Sequence, residues 1–159
     1  MSFQKKEPVK RVEKFLREFD SNLRVIQLNT SARTALEAAS SLGCDVGAIV
    51  KSLVFKTDDK FTLFLVAGDK KASLNKIKKN LNFKDVSMAS ADEVKNNTGF
   101  TIGGVSPVGH LKKINVYIDK SLERFGTLFA AAGHPNCVFE IDYSNLQKIT
   151  NGFVKEITE

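Results

Sequence analysis

Cysteine, histidine and tryptophan are scarce in this sequence, whose 159 residues include two cysteines, two histidines and no tryptophan. Cys44 and Cys137 lack Cys-x-x-Cys spacing, which argues against a disulfide scaffold and predicts two reduced, buried thiols. With His110 and His134 they form a nominal set of four metal ligands. Structural zinc sites present closely spaced ligands in pairs, and only His134-x-x-Cys137 has such spacing. We therefore expect no metal and no cofactor, with a zinc site as the minor alternative.

Long apolar runs are also absent. No segment reaches membrane-spanning length, and the N-terminal residues Met-Ser-Phe-Gln-Lys-Lys lack the apolar centre of an export signal. We therefore expect a cytoplasmic protein that has no membrane partner. No internal repeat, low-complexity tract or linker divides the sequence. Its 159 residues with 42% hydrophobic content suit one domain, spanning residues 1–159.

Common nucleotide-binding and esterase motifs are missing as well. Gly103, Gly104 and Gly109 do not satisfy Gly-x-Gly-x-x-Gly, and no Walker sequence is present. Ser106 is a conceivable nucleophile, but it lies in no Gly-x-Ser-x-Gly elbow and has no identifiable acid–base partner. A serine esterase is therefore a weak hypothesis.

Positive charge is abundant and clustered. The formal net charge is +6 and the pI is about 9.3, which favours an anionic partner. One cluster near the N-terminus contains Lys5, Lys6, Lys10, Arg11, Lys14 and Arg17. A second, in the middle of the chain, contains Lys70, Lys71, Lys76, Lys78, Lys79 and Lys84. Solvated helix faces have similar patterns, so composition alone leaves the role of both clusters open.

Hydrophobic spacing and capping residues predict alternating helices and strands. Pro8 and the apolar spacing behind it predict an amphipathic helix over 8–19, with a basic outer face. Further helices, most with a serine or threonine N-cap, are expected over 34–42, 73–81, 90–98 and 142–151. Strands are expected over 24–28, 46–56, 61–67, 86–89, 115–119, 127–132 and 137–141. This order predicts an α/β or α+β fold with a mixed sheet around one core.

Lys51 lies inside an apolar, β-branched run, Ile49-Val-Lys-Ser-Leu-Val-Phe55. A buried ammonium is costly unless it reaches water or an anion, so this lysine is a candidate site residue. Because strand residues alternate between faces, Lys51 has a plain alternative role as a surface-facing side chain.

The stretch from Thr98 to His110 contains four glycines and one proline. Glycine permits positive φ and close approach of another molecule, while Pro107 fixes one φ angle, so the segment is suited to presenting its backbone. An ordinary long connection is the alternative. A later segment, Ala130-Ala-Ala-Gly-His-Pro135, is also rich in small residues.

These segments, in this order, resemble the YbaK/ProXp family of aminoacyl-tRNA deacylases, which is related to the editing domain of bacterial prolyl-tRNA synthetase. The resemblance covers most of the chain. It rests on Val50-Lys51-Ser52-Leu53 and on Gly103-Gly-Val-Ser-Pro107, which follows Thr98-Gly99-Phe100. Ala131-Ala-Gly-His134 matches the family's later glycine turn only loosely. The resemblance implies a curved, mostly antiparallel sheet with surrounding helices.

It also implies a trans-editing function, the hydrolysis of a mischarged small amino acid from tRNA, with tRNA-Pro as carrier and a synthetase as a further partner. The alternative is a non-catalytic module that binds tRNA or a synthetase. The implied catalytic residues are Lys51, Gly103, Gly104 and Pro107. The expected substrate-binding residues are Ser106, Ala131, Ala132, Gly133 and His134. The expected tRNA-binding residues are Lys70, Lys71, Lys76, Lys78 and Lys79.

Overall fold

A computed structural model describes residues 2–159 and contains one curled sheet with helices against it. The helices of this part of the chain are α1 (Glu7–Phe19), α2 (Ala35–Leu42), α3 (Leu74–Leu81), α4 (Ala91–Thr98) and α5 (Tyr143–Thr150). The strands are β1 (Val25–Gln27), β2 (Ile49–Thr57), β3 (Lys60–Ala67), β4 (Val86–Met88), β5 (Asn115–Asp119), β6 (Leu128–His134), β7 (Cys137–Ile141) and β8 (Phe153–Lys155).

The strand order is β1-β7-β6-β2-β3-β5-β8, with β4 paired to β2 beside this path. Antiparallel pairs join β1 to β7, β7 to β6, β2 to β3 and β2 to β4. Parallel pairs join β6 to β2, β3 to β5 and β5 to β8. The prediction of an α+β fold with a mixed, mostly antiparallel curved sheet is confirmed.

Helix boundaries follow from capping residues. The side chains of Thr34, Ser73 and Ser90 each accept a hydrogen bond from a backbone N–H in the first turn of α2, α3 and α4. Such caps satisfy donors that the helix itself leaves unpaired. Gly43 and Gly99 end α2 and α4 in the left-handed conformation. These five helix ends agree with the prediction from sequence.

Strand β3 lies at the centre of the core. Leu63 and Leu65 pack on one face of the sheet with Leu16 of α1, while Phe64 packs on the other face with Ile77 of α3. All five side chains are fully buried. Burying a large apolar side chain contributes roughly 1.5–3 kcal/mol, so α1 and α3 hold the two faces of the sheet in place.

Two features of the strands were not predicted. The three-residue β8 is too short to show alternation, and it forms through parallel pairing with β5. Strand β6 extends to His134, two residues beyond its expected end, with a register shift between Ala131 and His134. The glycine turn expected at Gly133 is therefore an irregular part of a strand.

Candidate active site

The site begins with a gap in the sheet along one edge of β2. On that edge β6 pairs with Ile49–Val50 and β4 pairs with Phe55–Thr57. Between these pairings, residues 51–54 have no neighbouring strand. Two cavities open at this gap, of about 300 Å³ and 340 Å³. We call the first the α2 cavity and the second the α3 cavity, after the helix that borders each.

The two cavities share part of their walls. Both are lined by Lys51, Ser52, Leu53, Ile102, Gly103 and Val105. Lys51 and the glycine-rich loop (residues 99–110) therefore contribute to the same cavity walls. No Asp or Glu lines either cavity, whereas Lys51, Arg33 and Lys71 do. The site is electropositive and suits an anionic ligand or a developing negative charge.

Lys51 is half-buried on β2, and its Nζ donates a hydrogen bond to the carbonyl oxygen of Lys70. Burial lowers the pKa of this ammonium, and the charge of Asp69 partly opposes the shift. Asp69 is itself held by Arg124 through two bonds of 2.7 and 2.9 Å. An ammonium has three donors, so Lys51 keeps donors for a ligand after bonding to Lys70. This placement differs from that of a plain surface lysine.

Two glycines of the glycine-rich loop pack closely against other segments, Gly103 against Arg33 and Gly104 against His134. Gly103 has φ +93°, and a Cβ there would lie 2.7 Å from Cγ of Arg33. A Cβ on Gly104 would lie 3.0 Å from the backbone of His134 in β6. The Gly104 N–H already donates to the carbonyl of Thr101 at 2.9 Å, so this N–H is not free to bind a substrate. Its donor is used to shape the loop.

Arg11 of α1 holds the glycine-rich loop through hydrogen bonds to its backbone. Its Nε donates to the carbonyl of Gly109 at 2.6 Å, and Nη2 donates to the carbonyl of Gly99 at 3.3 Å. Its guanidinium also lies 4.7 Å from the ring centroid of Phe100, and Glu7 pairs with it at 2.7 Å. The sequence placed Arg11 in a basic cluster, and only the fold shows that it bonds to both ends of the loop.

Ser106 and Pro107 do not reach the cavities at Lys51. Ser106 is fully buried, and its Oγ accepts a hydrogen bond from the N–H of Val108 at 3.1 Å. Pro107 instead lines a separate cavity of about 280 Å³, together with His110. The expected contact of Ser106 with substrate is therefore not supported, because its hydroxyl is used within the loop. Pro107 lines neither cavity at Lys51, and its expected part in catalysis stays a prediction.

His110, at the end of the glycine-rich loop, forms a hydrogen bond with the backbone of Ser106 within the loop. Its Nε2 lies 2.7 Å from the carbonyl oxygen of Ser106, a contact in which the neutral ring donates its N–H. Burial lowers the pKa of His110, with Arg11 adding to the shift and the bond to Ser106 opposing it.

This lowered pKa predicts acid sensitivity of the fold. As pH falls from the ordinary histidine pKa toward the lowered one, the unfolded chain binds a proton that the folded chain does not, so the free energy of unfolding decreases. Urea unfolding at pH 7.5 and pH 5 is expected to show this loss. In His110→Asn the pH dependence should become shallower. An identical pH dependence in the variant would contradict this origin.

Of the four residues expected from the small-residue segment, only Ala131 lines either cavity at Lys51. Ala132 is fully buried in the core. Gly133 has φ +95°, and a Cβ there would lie 2.9 Å from the backbone of Pro8, so this glycine permits docking of α1. Ala132 and Gly133 therefore lie outside the walls of both cavities at Lys51, after the register shift that follows Ala131.

His134 lies on the α1 side as well. Its ring stacks on Phe3 with centroids 4.1 Å apart, and its Nδ1 accepts a hydrogen bond from the N–H of Asn136 at 3.0 Å. Burial lowers the pKa of His134, and the charges of Lys6 and Arg33 lower it further. His134 lines neither cavity at Lys51, so the expected role in binding the amino acid is not supported by its position.

Of the expected tRNA-binding lysines, Lys71 lines the α3 cavity, and Lys76, Lys78 and Lys79 lie on α3. Lys71 and Lys79 are exposed, and Lys71 lines the cavity. Lys70 and Lys78 are partly buried. Lys76 donates to the carbonyl of Thr158 at 2.8 Å and so holds the C-terminal segment. Lys70 is next to Lys51, since Lys51 bonds to its backbone carbonyl.

Sequence reasoning missed Arg33 and Ser52 as site residues. Arg33 lines the α2 cavity and packs on Gly103, and it forms no ion pair within residues 2–159. Ser52 lines both cavities, and its buried Oγ has no hydrogen-bond partner. Its place beside Lys51 in the Val-Lys-Ser-Leu motif was the available signal.

The two cysteines and two histidines do not form a cluster of metal ligands in the part of the chain that the structure describes. Among residues 2–159, no three of the His, Cys, Asp and Glu side chains are placed to hold a metal ion. Cys137 is buried, and burial raises its pKa to about 11. Cys44 is only partly buried. In the same described part of the chain, no helix combines the length and apolarity that crossing a bilayer requires.

The fold and site define a class of small α+β proteins, in which a half-buried lysine in a sheet gap faces a glycine-rich loop. The family model for the aminoacyl-tRNA editing domain matches residues 29–149. The chain belongs to this family, and the resemblance inferred from its motifs is confirmed.

Individual relatives agree with this assignment. The uncharacterized protein YwhH of Bacillus subtilis is 37% identical over 127 residues, which cover 79% of this chain and 80% of that protein. The proline–tRNA ligase of Caldicellulosiruptor bescii is 38% identical over 93 residues, 58% of this chain but only 16% of the ligase. A crystal structure whose description proposes a trans-editing enzyme for prolyl-tRNA synthetase matches with a TM-score of 0.91. It is 36% identical and covers 97% of this chain and 98% of its own.

Proposed function

We propose that this protein hydrolyses the ester that joins a mischarged small amino acid to the end of a tRNA. Water attacks the ester carbonyl, the bond to the terminal ribose oxygen breaks, and a proton passes to that oxygen, which releases the amino acid and intact tRNA. An aminoacyl ester is already reactive, so positioning and electrostatic stabilisation suffice and no covalent nucleophile is needed.

The observation that carries this proposal is the position of Lys51. Its ammonium lies in the wall of two electropositive cavities, opposite Gly103, in a chain of the editing-domain family. In that position it donates a charge-assisted hydrogen bond to the ester carbonyl or to a terminal phosphate. Arg33 at the mouth of the α2 cavity supplies a second cation for the acceptor end.

The α2 cavity is the proposed amino acid pocket. Its lining includes five alanines, Ala32, Ala35, Ala38, Ala130 and Ala131. Small walls around a cavity of about 300 Å³ favour a small noncognate side chain such as that of alanine, serine or cysteine. Binding alone discriminates weakly between such side chains, which is the reason hydrolytic editing is useful. The prolyl-tRNA ligase relatives and the trans-editing description support tRNA-Pro as the carrier.

A non-catalytic module that binds tRNA or a synthetase is the second candidate. A panel of tRNAs charged with alanine, serine, cysteine and proline separates the two functions. An editing enzyme in the cytoplasm is expected to release one or more of the small amino acids faster than spontaneous hydrolysis does. Tight tRNA binding with no release from any member of the panel would support the binding module and contradict the proposed hydrolysis.

The exposed lysines beside the α3 cavity are expected to contribute affinity for tRNA. In Lys71→Gln/Lys79→Gln, binding should weaken, and the slope of log affinity against log salt should shrink by about 1.5 to 2, since fewer counterions are released. Filter binding at several salt concentrations measures this slope. Lys148→Gln/Lys155→Gln removes two exposed charges elsewhere and serves as the control. Equal slopes in both double variants would exclude a specific role for the cluster.

A further inference from the structure

The backbone of Ser52 points into the gap in the sheet. On the edge of β2 that faces β3, the carbonyl oxygen of Ile49 accepts a hydrogen bond from the N–H of Gly68 at 2.8 Å. On the opposite edge of β2, the carbonyl oxygen of Val54 accepts a hydrogen bond from the N–H of Ala89 at 3.2 Å. Backbone groups in an antiparallel strand alternate between its two edges. Ser52 lies two residues before Val54, so its N–H and C=O face the edge that has no neighbouring strand.

The side chain of Ser52 adds a second unpaired group at this place. Its Oγ is buried and has no hydrogen-bond partner in the described chain. Buried hydroxyl groups in folded proteins nearly always have a partner, because an unpaired one destabilises the fold. A functional site is one setting in which such a cost persists, since a ligand then supplies the missing partner.

Lys51 and Ser52 approach the gap from opposite faces of β2, because adjacent strand residues alternate. Both residues line both cavities. A carbonyl placed in the gap therefore lies between the Lys51 ammonium on one side and the Ser52 hydroxyl on the other. The absence of Asp and Glu from both cavity walls favours an atom that gains negative charge there.

We propose that Ser52 is a catalytic residue whose N–H and hydroxyl donate hydrogen bonds to the ester oxygen as it becomes negatively charged. This inference rests on the proposed ester hydrolysis. The N–H of Gly104 does not take this role, because it is bonded to the carbonyl of Thr101. Ser52 forms no covalent bond. It stabilises the tetrahedral intermediate, which then collapses with departure of the ribose oxygen.

Kinetics of Ser52→Ala test the proposal. Donors aimed at a developing oxyanion act mainly in the transition state, so kcat should fall roughly tenfold to a hundredfold with little change in KM. Thermal stability should be unchanged or higher, because an unpaired buried hydroxyl is removed. Ser52→Thr keeps the hydroxyl and should restore most of kcat. Ser40→Ala, at an exposed serine of α2, is the matched control.

A binding experiment separates this proposal from the proposed function. Two adenosine conjugates are titrated calorimetrically, one with alanine in amide linkage and one with a phosphonate that mimics the tetrahedral intermediate. Ser52→Ala should weaken phosphonate binding by about the same factor as kcat and leave amide binding unchanged. Equal affinities for the phosphonate in both proteins, or an unchanged kcat, would overturn the role of Ser52. If the wild-type protein hydrolyses no aminoacyl-tRNA, the proposed function is overturned. The comparison of phosphonate affinities would still test whether Ser52 binds the tetrahedral group.

Discussion

Replacing Lys51 by alanine is expected to reduce single-turnover deacylation by roughly a hundredfold or more, the size of loss seen when a preorganised donor is removed from a reacting carbonyl. The variant loses the only ammonium that lies opposite Gly103 in both cavities at the sheet gap, within the described residues. It also loses one hydrogen bond, to the carbonyl of Lys70, while the cost of desolvating the ammonium disappears. These structural effects oppose each other, so the free energy of unfolding should change by less than about 1 kcal/mol.

The matched control for Lys51 is Lys56→Ala. Lys56 lies on the same strand and is exposed, outside both cavities. Rapid-quench deacylation measured beside urea unfolding compares the two variants. A wild-type rate in Lys51→Ala would remove this lysine from the mechanism. An equal loss of rate in Lys56→Ala would show that strand β2 tolerates no change of charge, which would also contradict a specific role for Lys51.

Replacing Gly133 by alanine is expected to have the largest effect on stability. The residue has φ +95°, where a side chain is strained, and a Cβ would lie 2.9 Å from two backbone atoms of Pro8 at the start of α1. Backbone cannot move aside as a flexible side chain does, so α1 must shift off the sheet. We expect a loss of roughly 2 to 4 kcal/mol in the free energy of unfolding.

Gly126→Ala is the control for this prediction, because a Cβ at Gly126 meets nothing within 4 Å. Its effect should lie within about 0.5 kcal/mol of zero, as for most surface changes. Urea unfolding of both variants gives the comparison. If Gly133→Ala is as stable as the wild type, then Gly133 has another role than docking α1, and the earlier assignment to substrate binding deserves renewed study.

Most of the local structure could be predicted because its signals lie close together in sequence. The Ser90 cap and Glu93 are three residues apart, and both halves of the capping box form. The apolar run around Lys51 correctly predicted a strand. Asp58 and Asp59, residue types that favour turns, form the two-residue turn that joins β2 to β3, with Thr57 paired to Lys60.

The arrangement of the site depends on pairings between distant segments, which the pattern of one segment does not reveal. The gap at Ser52 exists because β6 and β4 share one edge of β2 without meeting. The shift after Ala131 turns His134 toward Phe3 and away from the cavities. The expectation for His134 came from the loose match of Ala131-Ala-Gly-His134 to the family's later glycine turn, and that match does not reveal the register shift.

Arg11 shows that the contacts of a charged residue also cannot be predicted from its own segment of sequence. Its position in a basic N-terminal segment predicted a surface role, yet its guanidinium bonds to carbonyls almost a hundred residues away. Arginine has a fork of donors that can bridge two segments, and only the tertiary fold shows which carbonyls lie within reach. For the lysines of α3 a role in tRNA binding stays a prediction, and the fold adds that Lys76 bonds to the C-terminal segment.

The central claim is that the sheet gap at Lys51 is a site of aminoacyl ester hydrolysis. Release of labelled alanine from alanyl-tRNA-Pro, with wild-type protein in excess over substrate, tests it most directly. We predict first-order release well above the spontaneous rate, with the tRNA left intact and able to be charged again. Release at the spontaneous rate, for alanine and for the other small amino acids, would contradict the claim.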